Sequence, residues 1–270
     1  MITIDISWHE EWFAAYAERK IAEAKAGAEV DIGPMRLKCQ HTRRVLANAQ
    51  EIVEDETCRQ DFPPLLARAA LLAALYHDVG RFEQYLRHRT FNDRASCNHA
   101  VTGVRVINQE GCLAGEECRS LIAAAVALHN RFALPANLPE IVRRITLVVR
   151  DADKLDILRL MDEQLNSEGD CASAIVFGLP DDPALASKNI IAAALAGRVA
   201  SYADLSSVGD FKLLLATWVF AMNFPASAKR FASDGHARRL LESLRPDSLH
   251  APARAALLAR FTELGGGHNC

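Results

Sequence analysis

The chain has 270 residues, half of them hydrophobic, with 31 Lys and Arg against 34 Asp and Glu. The balanced charge argues against a protein built to coat nucleic acid, and the length suffices for a core without disulfide staples. The acidic start MITIDISWHEEWF has neither a basic n-region nor an apolar h-region, and the apolar run Leu213–Met222 is about half of the roughly 20 residues that a membrane span needs. The composition therefore predicts a soluble, cytoplasmic protein with no membrane partner and no extended nucleic-acid surface. The seven cysteines, at 39, 58, 97, 112, 118, 171 and 270, form no C-x-x-C pair and read as reduced, mostly buried thiols.

In chain order, helical spacing dominates. Residues 9–27 carry Trp12, Phe13, Tyr16 and Ile21 on a helix that stops at Gly27. Residues 35–56 follow Pro34 and set Leu37, His41, Val45, Asn48/Ala49 and Ile52 on one stripe. Residues 64–79 follow Pro63–Pro64 and predict an Ala-rich helix, apolar nearly all round, that ends at Gly80; a loop, RFEQYLRHRTFNDRASCN, comes next. Helices are expected over 98–110, 116–132 and 139–165, then near 184–205, 209–224, 225–233, 235–245 and 251–264, with a frayed tail GGGHNC. ITLVV and AIVF are short β-branched patches, the first inside a stronger helical pattern. The expected fold is all-α: residues 1–33 as an N-terminal helix packed on the core, 34–165 as one domain, and 166–270 as C-terminal helices of the same globule.

Nine histidines are present. His9, His236, His250 and His268 lie in polar or terminal contexts and read as surface residues. His88 falls in the loop after Gly80. His41 lies on the apolar stripe of its helix, His77 and Asp78 end an apolar helix, His99 opens one, and His129 shares a face with Ile122, Val126 and Phe132. Neutral imidazoles on apolar stripes need partners for both nitrogens, and a buried carboxylate needs a cation. Metal ions meet both needs, and this ligand chemistry suits Mn, Fe, Zn, Ni or Co. A further buried acid is expected from RDADKLDIL, where Asp153 continues the apolar face of Val142, Thr146, Val149, Ile157 and Leu160; spacing alone does not choose among Asp151, Asp153 and Asp156.

The order His41, His77-Asp78, Asp153, within the words KCQHTRRVLANA, ALLAALYHDVGRFEQY, NHAVTGVRVI, ALHN and RDADKLDIL, resembles the H…HD…D signature of the HD-domain superfamily of metal-dependent phosphohydrolases. The resemblance implies an all-helical fold with His41, His77, Asp78 and Asp153 as ligands of a first metal, and so selects Asp153. Its binuclear branch implies two further histidines, here His99 and His129, on a second ion bridged by Asp78. The implied cofactors are two divalent transition-metal ions, Mn or Fe first, with Co, Ni, Zn and Mg as other choices. The implied activity is hydrolysis of a phosphate monoester or phosphodiester, a nucleotide among the candidates, by metal-activated water. ALHNRF stands where cyclic-di-GMP phosphodiesterases carry a longer HHE…GYP word, which disfavours that substrate. Arg81 and Lys154 adjoin ligands and are candidates to grip phosphoryl oxygens; Arg87, Arg89 and Arg94 form a basic surround, and His88 is the candidate general acid. Two other readings share the ligand set: a di-iron oxygenase, and a metal-bound nucleotide sensor without turnover.

Overall fold

A computed structural model describes residues 4–27, 30–166 and 178–266. The AIVF patch, Cys171, His268 and Cys270 lie outside the described residues. Among the described residues there is no strand, and no helix is long and apolar enough to cross a membrane. The described cysteines 39, 58, 97, 112 and 118 are free thiols. The chain divides into two units, residues 1–153 and 154–270, with the boundary inside one helix.

The first unit holds α1 (Ser7–Gly27), α2 (Gly33–Glu54), α3 (Pro64–Tyr76), α4 (Gly80–His88), α5 (His99–Glu110), α6 (Arg119–Leu128) and the first half of α7 (Glu140–Leu165). Proline in the first turn starts α2 and α3, where its fixed φ is already helical and its missing N–H costs nothing. The Asn98 side chain caps α5 by accepting from the amides of Ala100 and Val101, and Gly111 ends that helix at φ 66. The centre of the unit is α3, as its composition predicts. Ten of its residues, Leu66, Ala67 and the run Ala69–Tyr76, are buried, and its many alanines let α2 and α6 approach closely. The ITLVV patch lies within α7, as its helical pattern predicts.

Three expectations are corrected. Gly80 does not open a loop: residues 77–79 form a turn, Gly80 begins α4, and His88 is the exposed last residue of that helix. Phe82 and Tyr85 bury one face of α4, and Arg89, at φ 55, ends it. Glycine is required at 80 because α4 and α5 cross there in main-chain contact. A Cβ at Gly80 would collide with the His99 carbonyl oxygen and the Gly103 amide nitrogen. The helix expected over 116–132 spans only Arg119–Leu128, and Phe132 is fully exposed rather than sharing a face with His129.

His9 and His250 are buried, not surface, residues. His9 joins a polar cluster that fastens the start of α1. Its Nδ1 lies 2.9 Å from the Tyr76 hydroxyl, and its Nε2 lies 2.9 Å from Oε1 of Glu116, which Arg68 grips with Nε and a terminal nitrogen. Arg68 also donates to the Asp5 carbonyl.

The second unit holds the rest of α7, then α8 (Lys188–Leu195), α9 (Val208–Thr217), α10 (Pro225–Ser233), α11 (His236–Glu242) and α12 (Ala251–Gly265). The helix expected over 184–205 is shorter because Gly197 adopts φ 66 just past its end. The one expected over 209–224 gives way to a 3-10 turn at Trp218–Ala221. Leu213, Leu214, Leu215, Phe231, Leu240 and Leu241 are at the heart of this unit's own core.

Two stability tests follow from the first unit. Gly80→Ala should lose about 1–3 kcal/mol or more in chemical denaturation, since main chain, not a flexible side chain, opposes the added methyl. The Glu116 carboxyl is held at about 2, first by the Arg68 hydrogen bonds and then by His9, against burial that raises it. Its unfolded value, 4.5, is higher, so its contribution is full above pH 4.5 and fades as pH falls towards 2. Between pH 5 and 3 the wild type should therefore lose on the order of 1–3 kcal/mol more stability than Glu116→Gln, measured by urea midpoints.

Candidate metal centre

His77 and His129 each follow the last residue of a helix, α3 and α6. Helix ends leave carbonyls without amide partners. Each histidine meets one: Nδ1 of His77 donates to the Ala74 carbonyl at 2.7 Å, and Nδ1 of His129 donates to the Val126 carbonyl at 2.8 Å. His99 stands in the first turn of α5, and its Nδ1 donates to the Asp93 carboxylate at 2.7 Å. Carbonyl and carboxylate oxygens only accept, so each ring carries a proton on Nδ1, and a ring that is neutral presents its lone pair at Nε2.

The structure brings the six predicted residues together in two groups, His41–His77–Asp153 and Asp78–His99–His129. Within each group the donor atoms lie within 4.8 Å of one another. Nε2 of His41 is 3.0 Å from Asp153 Oδ1 and 3.7 Å from Asp78 Oδ2. Nε2 of His77 is 3.6 Å from Asp78 Oδ2 and 3.8 Å from Asp153 Oδ1, and it is buried without a hydrogen-bond partner. Nε2 of His99 is 3.3 Å from Asp78 Oδ1 and 3.1 Å from Nε2 of His129. Asp78 faces both groups, one oxygen to each. Asp151 and Asp156 are also buried, but neither belongs to a group, and Asp156 pairs with Arg159 at 2.7 Å.

The protonation states sharpen this picture. Burial, reinforced by the charges of His77 and His99, pushes His129 down to about 3, and burial also lowers His77. Both rings are neutral at pH 7. Burial alone would raise Asp78, but Lys38, His77, Arg81 and His99 hold it well below the usual carboxylate range. Asp153 is likewise lowered despite burial, by the His41 hydrogen bond and the charges of His77 and His41. The centre thus gathers electron-pair donors facing one another, among them the Asp78 and Asp153 carboxylates and the lone pairs of the neutral His77 and His129 rings. Nitrogen with carboxylate oxygen is a fitting donor set for a divalent transition metal. The residues fit a metal.

Around the donors stands a set of partners that the sequence did not reveal. Lys38 donates Nζ to Asp78 Oδ2 at 2.7 Å, and its ammonium lies 5.8 Å from the Phe91 ring centroid. Asp93 accepts from His99, from Arg81 at 2.8 Å and from the buried Gln84 amide at 2.9 Å, while Asn130 reaches it at 3.2 Å. Burial would raise the Asp93 carboxyl, yet His99, Gln84 and Arg81 lower it. Arg81 is engaged by protein on all sides: Asp78 at 3.2 Å, Gln84 at 2.9 Å, the Phe91 carbonyl at 2.6 Å and Asp93. Lys154 donates Nζ to the Ala221 carbonyl at 3.3 Å. His88, Arg87 and Arg89 are exposed. Lys38 sits three residues before His41, on the same helix face, and that spacing was the available signal; Asp93 had none beyond its loop.

These features define a class: a helical domain with a buried histidine–aspartate centre whose imidazoles are oriented by the scaffold. Residues 39–161, the stretch that carries all six residues, match the family model of the HD domain. The superfamily includes metal-dependent phosphohydrolases as well as non-hydrolytic members. No curated protein and no solved structure matches the chain.

Asp93 fixes the ring and tautomer of His99 without being in either group. Partners of this kind typically change metal affinity by about 10–100-fold. Asp93→Asn should weaken binding of one metal equivalent by that factor and leave the fold intact, as read by calorimetric titration with Mn²⁺.

Proposed function

We propose that the chain is a metal-dependent phosphohydrolase acting on a phosphate monoester or phosphodiester of a small molecule, nucleotides included. Two divalent transition-metal ions, Mn or Fe foremost, would be held by His41, His77 and Asp153 on one side and by His99 and His129 on the other, with Asp78 serving both. The observation that carries the metal part is His77 Nε2, buried without a hydrogen-bond partner and facing the Asp78 and Asp153 carboxylates at 3.6 and 3.8 Å. When bound, such ions lower the pKa of a water towards neutrality and polarise phosphoryl oxygens.

The chain's own residues supply the rest. Arg81 links Asp78 to Asp93 and so orients the bridging carboxylate and, through Asp93, His99; it is a positioning residue in this reading. Lys38 is the cation for phosphate. Its Nζ now rests on Asp78 and its side chain is 19% exposed, so it reaches the centre from a solvent-facing side. From that position the Lys38 ammonium would balance the charge that develops on a phosphoryl oxygen. Lys154, next to Asp153, is proposed as a second such cation. No role is proposed for His88.

The test is a panel of mono- and dinucleotides and simple phosphate esters with Mn²⁺, Fe²⁺, Co²⁺, Ni²⁺ and Mg²⁺, scored by phosphate release and, with iron, by oxygen uptake. Phosphate release with at least one metal is expected. Oxygen uptake without phosphate release would replace hydrolysis by oxygenase chemistry. On the substrate found, Lys38→Met should keep both metals and lose on the order of 10²–10³ in kcat. Arg81→Lys should be milder than Arg81→Met, and both should lower metal affinity as well as rate, because the fork that joins two carboxylates is lost.

A further inference from the structure

The second unit contains a cavity of about 290 Å³ that the HD domain does not account for. At its wall stands His250, 1% exposed, on the connection between α11 and α12. Its Nε2 lies 2.9 Å from Oδ1 of Asp210, which is fully buried. Asp210 also accepts from the Ser206 hydroxyl at 2.5 Å and from the Ser206 and Ser187 amides. Burial raises this carboxyl, but the Ser206 and Ser187 hydrogen bonds and His250 bring it below its ordinary value, so it is ionised and accepts the Nε2 proton. Nδ1 has no partner among the described residues, and the ring lines the cavity. The ring lies flat on Gly209 in the first turn of α9, where a Cβ would be 2.6 Å from its Cε1.

Lys212, one turn further along α9, lines the same cavity. Its Nζ donates to the Ser243 hydroxyl at 2.8 Å, and it forms no ion pair among the described residues. Burial lowers its pKa, with Asp181 opposing. A half-buried ammonium whose one partner is a hydroxyl thus stands in the same cavity as a buried imidazole with an uncommitted nitrogen. The Ser248 hydroxyl and Arg245 complete that side.

We propose that this cavity binds a small oxyanion, such as a phosphate, sulfate or carboxylate group, between Lys212 Nζ and His250 Nδ1. The volume is at the lower end of ligand pockets, about 300–1,000 Å³, and so suits one anionic group on a small body rather than a dinucleotide. The ring can donate to the anion from Nδ1 only as imidazolium, because Nε2–H is already given to Asp210. Oxyanion binding at Nδ1 therefore selects the protonated ring. The charged groups around the ring are Asp210 and Lys212 on α9, Arg245 and Asp247 before α12, and Asp181 and Asp182 on the loop before α8. Asp182 is partly committed to the Ala184 amide.

Sulfate is the probe, since its charge does not change near neutrality, and titration calorimetry is the measurement. Saturable binding is expected, tighter at pH 6 than at pH 8, and weakened about tenfold or more in Lys212→Met and in His250→Gln. Lys38→Met, which alters the metal centre, should leave it unchanged, so this result is independent of the phosphohydrolase reading. Lys212 is half-buried, so its variant keeps the test valid if His250→Gln fails to fold. Glycerol phosphate and acetate serve as further arms: tighter binding than sulfate by one of them identifies the organic group that carries the anion. Absence of saturable sulfate binding, binding indifferent to both variants or to pH, or saturation by Ca²⁺ through Asp181 and Asp182 would each overturn the proposal.

Discussion

His77 Nε2, buried without a hydrogen-bond partner and facing Asp78 Oδ2 at 3.6 Å and Asp153 Oδ1 at 3.8 Å, is the constraint on which the rest of the first unit turns. The ring cannot relieve this opposition by moving its proton, because the Ala74 carbonyl requires the hydrogen on the far nitrogen. A second proton is disfavoured by burial, which lowers this ring and that of His129. The protein thus holds in place a concentration of electron pairs that a cation would stabilise. The scaffold achieves this with ordinary parts. Two histidines satisfy carbonyls that any helix end leaves open, and the same hydrogen bond that finishes the helix aims the ring.

The cations beside the centre follow from the same constraint. Asp78 is buried and ionised, so it needs positive partners whether or not metals are present. Lys38 and Arg81 provide them, and both lie over the Phe91 ring. Arg81 is held by four acceptors, which makes it part of the frame. Lys38 pairs with the Asp78 carboxylate and has a more open surround, which makes it the more adaptable of the two.

The six residues that the fold gathers were legible in the sequence because histidines on apolar stripes are costly without partners, and the order H…HD…H…H…D resembles a known pattern. The choice of Asp153 over Asp151 and Asp156 was not legible from spacing, because all three lie on or beside the inward side of α7. The partners were hidden for a different reason. His9 finds Glu116 107 positions away, and His250 finds Asp210 40 positions away, so local context misread both as surface residues. The sequence signal for Lys38 is only its spacing three residues before His41 on α2. Helix α4 is hidden because a glycine after an apolar helix signals a stop, whereas at Gly80 the lack of a side chain serves a crossing that only the folded chain reveals.

That crossing has a consequence for how the two donor groups are related. Gly80 is two residues after Asp78 and meets the main chain at His99, so the distance from one group to the other is set by backbone touching backbone rather than by side-chain packing. Side chains can be exchanged and can adjust; two main chains in contact have no slack. The span across the centre is therefore a fixed gauge of the fold. Surfaces away from the crossing can vary while the gauge stays the same.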